Sequence, residues 1–186
     1  MTRLFVAMLL AVSVFTNAGA EVLAIHLDEE NVAVDFQDGR YSASLSLQLP
    51  VPPGLALEVL TDFDHMGDFV PNLASSRIVS HAGNVYRIAQ QGKANFGPFS
   101  FKFSSERRVE LFPDGRLVSQ ALSGSTKYMR SELHFQAVGS GTKISYRIEM
   151  VPDYWVPSSF GVGFMRHELA EQFSALGNEM LRRQKK

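Results

Sequence analysis

This sequence predicts an α+β domain: a bent antiparallel β-sheet wrapped around a long C-terminal α-helix, with two short helices after the first main strand. Two observations carry that expectation. Apolar residues recur with period two, between tight turns, from residue 32 to residue 150. From Val162 they recur instead with the i, i+3/i+4 spacing of an amphipathic helix. Length agrees, since 186 residues without an internal repeat suit one domain with its own core.

The elements follow in order. Val32, Val34 and Phe36 alternate with polar or small residues, and Asp38-Gly39 marks a hairpin turn. Tyr41, Ala43, Leu45, Leu47 and Leu49 then share one face of a strand whose other face is Ser42, Ser44, Ser46 and Gln48. Pro50 stops it, and Pro52-Pro53 suits the opening of a short helix ending near Thr61-Asp62. A second short helix is expected from His65 to Val70. Strands follow over Arg77–Ser80, Asn84–Gln91 and Phe99–Leu111, the last with Phe99, Phe101, Phe103, Arg107, Val109 and Leu111 in phase. After Pro113-Asp114-Gly115 come Arg116–Ser123, Lys127–Val138 and Lys143–Met150. These strands are joined by tight turns, so the sheet is expected to be antiparallel. The closing helix presents Val162, Met165, Leu169, Phe173, Leu176 and Met180 on one side and Arg166, Glu171, Ser174 and Asn178 on the other. Ser158 or Ser159 is its expected N-cap.

The first twenty residues read as an address. Arg3 precedes an almost unbroken apolar run from Leu4 to Phe15, and Ala18-Gly19-Ala20 supplies small residues for cleavage between Ala20 and Glu21. The run is shorter than the ~20 apolar residues a membrane span takes. The expected organisation is a signal peptide over 1–20, an extra N-terminal strand segment over 21–39 and the main domain over 40–186.

Composition removes several functions. Without cysteine there is no disulfide framework, thiol nucleophile or Cys-ligated zinc. An exported chain lacking disulfides fits the periplasm of a Gram-negative bacterium. Eighteen Lys and Arg against nineteen Asp and Glu leave no basic excess for nucleic acid. The five His are scattered, with no H-E-x-x-H pair, so no metal and no cofactor is expected. No G-x-S-x-G elbow or complete dinucleotide loop is present.

The stretch Val59-Leu60-Thr61-Asp62-Phe63, then Phe69-Val70-Pro71-Asn72 and Ser75-Ser76-Arg77, resembles the opening motif of the START-like SRPBCC superfamily, closest to its polyketide cyclase/dehydrase and coenzyme Q-binding branch. The element order is similar to that superfamily's helix-grip fold, over about residues 40–184. The resemblance implies a cavity between sheet and final helix that binds or carries a hydrophobic small molecule such as a lipid, quinone or polyketide-like compound. Its candidate lining is Phe99, Phe101, Phe103, Met129 and Tyr146 on strands and Phe164, Met165 and Leu169 on the helix. Phe63, Met66 and Phe69 are candidates for a lid or mouth. Trp155, at the strand-to-helix junction, is a candidate gate or membrane contact, or a plain packing residue.

Two other functions stay open. A cyclase- or dehydratase-type enzyme would need acid–base groups inside, and Tyr128, Arg130, Glu132 and His134 share one strand face. That face is expected to point to solvent while Met129, Leu133 and Phe135 point inward, so no catalytic residue is assigned. The other is a protein-interaction module using the N-terminal segment as an edge strand. The expected partner remains a hydrophobic small molecule, with transient membrane contact and no assigned protein partner.

Overall fold

A computed structural model describes residues 24–154 and 156–185. The cleavage position Ala20/Glu21 and Trp155 lie outside the described residues. Eight strands form one antiparallel sheet: β1 (Ala33–Gln37), β2 (Arg40–Leu49), β3 (Leu73–Ala82), β4 (Val85–Phe96), β5 (Phe99–Leu111), β6 (Arg116–Gly124), β7 (Thr126–Val138) and β8 (Gly141–Pro152). Their spatial order is β1-β2-β8-β7-β6-β5-β4-β3. The chain leaves β2, crosses to the far edge through α1 (Pro53–Thr61) and α2 (Met66–Phe69), and meanders back until β8 meets β2. The long helix α3 (Ser158–Gln184) lies across the concave face.

Local sequence explains the joints. Asp38 and Gly39 both have positive φ, 51° and 79°, as a two-residue hairpin between right-twisted strands requires. The alternating face of β2 is buried at Tyr41, Ala43, Leu45 and Leu49. Thr142, fully buried in β8, donates its hydroxyl to the Val51 carbonyl at 2.7 Å and fixes the chain's exit from β2. At Gly92 a Cβ would stand 2.1 Å from the Asn72 carbonyl oxygen and 2.5 Å from the Phe103 ring. Glycine there lets the β2–β3 crossover close onto β4.

Two expectations need correction. Of the segment expected as strand over 21–39, the described residues from 24 onward are strand only from Ala33 to Gln37. Before it, the chain runs along the outer side of α3 as a strap, with a single 3-10 turn at Glu29–Asn31. The Ile25 and Leu27 N–H groups donate to the Asn178 Oδ1 and Ser174 Oγ at 2.8 Å each, and the Asn178 amide returns a bond to the Ile25 carbonyl. Those backbone groups are bonded to helix side chains instead of a ladder, and Leu27 and Val32 are buried. Gly177 makes room, since its missing Cβ would meet Ile25 at 3.1 Å. The second correction concerns the N-cap of α3, which is Pro157 in extended backbone, with no side-chain capping bond; Ser158 is already helical. Strands β3 and β4 also run further than alternation indicated, because their ends are bulged or aromatic.

Candidate functional site: a cavity under the long helix

Between α3 and the sheet lies a cavity of about 610 Å³, inside the range of about 300–1,000 Å³ typical of small-molecule pockets. Its wall is mostly aliphatic and aromatic. The polar exceptions gather in two places.

One end is aromatic. The tip of the β4–β5 hairpin leans on the first turns of α3, so that Phe96, Phe99, Phe101, Phe160 and Phe164 meet with ring centroids 5.2–6.3 Å apart, mostly edge to face. Phe99 is 54% exposed and Tyr154, also in the lining, is 53% exposed, so this end is the mouth. Aromatic edges line it with weak, separable contacts.

The floor, deeper along β5, is polar. Arg107 points inward in phase with Phe99, Phe101 and Phe103, and donates to the Gln90 side-chain carbonyl. Gln90 is itself oriented from behind: its amide donates to the Ser76 hydroxyl at 3.0 Å and approaches the Met66 sulfur at 3.6 Å. The Arg107 Nε and the Ser119 hydroxyl are buried without a hydrogen-bond partner among the described residues. Tyr146 and Ser131 complete the floor. Burial pushes the Tyr146 phenol up, against the opposing pull of the Ser131 hydrogen bond and the Arg107 charge, so it stays a neutral donor at pH 7. Burial also lowers the Arg107 pKa. The β5–β6 register slips between Glu106 and Arg107 because β6 carries an extra residue, Leu122; β5 itself stays in unbroken register with β4, so its alternation turns Arg107 toward the cavity.

A second polar point sits in the helix wall. Glu168 is buried and lines the cavity. Burial first, then the charge of Glu171, raises its pKa. Asn72, in left-handed backbone (φ 64°), donates to both carboxylates at 3.3 Å. The Val70-Pro71-Asn72 motif thus supplies two lining residues and the side chain that ties the crossover to α3.

Of the positions expected from sequence, Phe63, Met66, Phe99, Phe101, Phe103, Met129, Tyr146, Phe164, Met165 and Leu169 lie in the lining. Phe69 does not. Helix α2 lasts a single turn, the inward position passes to Val70, and the Phe69 ring lies under the Arg183 guanidinium at 5.7 Å. On β7, Met129, Ser131 and Leu133 face inward, while Tyr128, Arg130, Glu132 and His134 stay out of the lining. Sequence reasoning missed Arg107, Gln90, Ser119, Glu168 and Phe160. A signal existed for two of them: Arg107 is in phase with the phenylalanines of β5, and Phe160 precedes Phe164 by one helical turn.

His167, Glu168 and Glu171 bring potential metal donors within 4.8 Å of one another. Each already has a protein partner: His167 Nδ1 donates to Glu29 at 2.9 Å, and Asn72 serves both glutamates. Among the described residues no helix is long and apolar enough to cross a membrane.

No curated protein matches this sequence. Solved structures show the same fold at low identity. A START superfamily protein from Mycobacterium smegmatis superposes with a TM-score of 0.66 at 10% identity, covering 76% of this chain and 97% of that one. A STAR-related lipid transfer protein from Xanthomonas axonopodis gives 0.64 at 13% identity, over 81% and 92%. The Zhui aromatase/cyclase of a Streptomyces species gives 0.61 at 14% identity, over 77% and 95%. The match that spans most of the sequence is to a family model, over residues 49–176, and by it the chain belongs to the polyketide cyclase / dehydrase and lipid transport family.

Proposed function

We propose that the protein binds a hydrophobic small molecule, of lipid, quinone or polyketide-like character, in the cavity under α3 and carries it unchanged. The observation that carries this reading is the cavity of about 610 Å³, floored and walled by the sheet and helix and rimmed by separable aromatic contacts. Filling such a space removes apolar area from water, at roughly 25 cal/mol per Å². The exposed Phe99 and Tyr154 at the mouth suit brief contact with a membrane during exchange. The basic start, apolar run and small residues of 1–20 support export and work in the periplasm.

Native mass spectrometry and organic extraction of protein purified from its export compartment are the test. An apolar molecule released on unfolding, with a polypeptide mass beginning at Glu21, is the expected outcome. Failure to load after incubation with lipid extract would refute carriage, and a mass that retains Met1 would refute export.

The alternative, a cyclase- or dehydratase-type reaction, is favoured by one observation: Glu168 is a carboxyl with raised pKa in the cavity wall. Conversion of the extracted molecule by wild type, lost in Glu168→Gln, would replace carriage with catalysis. The interaction-module reading has little edge to work with, because β1 is five residues long.

A further inference from the structure

We infer that the ligand is an amphiphile with a single anionic oxygen head, held on the floor by Arg107, the Ser119 hydroxyl and the Tyr146 phenol, with its tail toward the aromatic mouth. The inference rests on the carriage reading and narrows it. Three features of the floor point to such a head. A guanidinium is the most expensive side chain to leave in an apolar cavity, and no carboxylate in the described residues pairs with Arg107. Its hydrogen bond to Gln90 leaves Nε unused, and Ser119 Oγ, also unused, lies in the same lining. The unmet groups on this floor are the Nε–H of a fixed cation and the Ser119 hydroxyl, a pair that a carboxylate or phosphate oxygen satisfies.

The support behind Arg107 argues for a built site rather than an accident of packing. Ser76 holds Gln90, Gln90 holds Arg107, and the unbroken alternation of β5 aims the side chain inward. The geometry also sets tail length. Phe101 and Arg107 are six residues apart on one strand, about 20 Å at ~3.3 Å per residue. That accommodates one extended chain between head and mouth.

The test compares dodecanoate, dodecyl phosphate and dodecanol, each below its micellar concentration, by calorimetry at pH 7.5 on the folded full-length mature protein. Wild type is expected to bind both anions at least tenfold more tightly than the alcohol. Arg107→Met, which removes the charge and keeps the bulk, is expected to erase that preference while still binding dodecanol. Equal affinity of wild type for the three probes would overturn the inference and leave carriage standing, as would a preference unchanged in Arg107→Met. Binding of none of the three would overturn both. The wild-type comparison needs no variant, and Ser119→Ala, expected to weaken the anions alone, repeats the test should Arg107→Met not fold.

Discussion

The two halves of α3 are built on different principles. The C-terminal half is anchored: Met180 and Leu181 are buried away from the cavity, and the strap from Ile25 to Val32 covers its outer side. Arg182 and Arg183 both donate to Glu179 at 2.6 Å, and Arg183 continues to Glu58 at 3.0 Å and Asp62 at 2.5 Å, tying in α1. His65, from the turn before α2, also donates to Asp62. The N-terminal half lies over the cavity mouth on aromatic edges, with no side-chain cap. A container needs both a fixed hinge and a wall that can part, and this helix supplies each at one end. Stability should therefore be concentrated where the cavity is not.

Four substitutions would break or sharpen that contrast. Met180→Ala, at a fully buried position, should cost about 2–5 kcal/mol in urea unfolding. A comparable loss from Phe160→Ala would erase the distinction between the two halves. Glu179→Gln should cost about 1–3 kcal/mol, since it removes a carboxylate bonded to two arginines.

The same residue gives the protein an acid limb. The Arg182 hydrogen bonds, with those of Arg183, hold its carboxyl at about 2 against an ordinary 4.5. A depressed acid stabilises the fold above its ordinary pKa and loses that contribution as pH falls through the native value. Wild type should lose stability between pH 4.5 and pH 2, with Glu179→Gln showing a shallower decline. Asp62 acts in the same direction: burial would raise its carboxyl, but the hydrogen bonds from His65 and Arg183 outweigh it.

At the mouth, Phe160→Ala removes ring contacts to Phe96, Phe99 and Phe101. Each such pair is worth about 0.5–1.5 kcal/mol beyond buried area. The change should appear mainly as a release rate for a fluorescent fatty acid up to about tenfold faster in stopped flow. The smallest effect is expected from Glu168→Gln. A buried acid with raised pKa weakens the fold as pH rises from its ordinary value to its native one. The variant should be slightly the more stable at pH 8 and indistinguishable at pH 4, by thermal unfolding at both pH values.

Much of the frame was legible in the residues. Alternation in β2 and β7 gave the inward faces, Asp38-Gly39 its turn, and the apolar stripe of α3 its buried side, because these follow from local geometry and the need to hide one face from water. Parity placed Arg107 on the same side as Phe101, yet a charged residue in an apolar register gives no sign of whether it is buried or reaches solvent. The strap failed for a similar reason. Val32, Val34 and Phe36 alternate as a strand does, but whether the chain before them joins a sheet or a helix depends on partners over a hundred residues away.

By itself, then, the sequence determined the strands, their faces, the turns and the amphipathic helix, all of which depend on neighbours a few positions apart. Only the tertiary structure decided that Ser76, Gln90 and Arg107 form one relay, that Asn72 meets Glu168, and that Glu179 gathers its arginines against α1. Those contacts join strands, crossover and helix across long separations, and which groups meet there is set by the packing of whole elements, which local alternation does not determine.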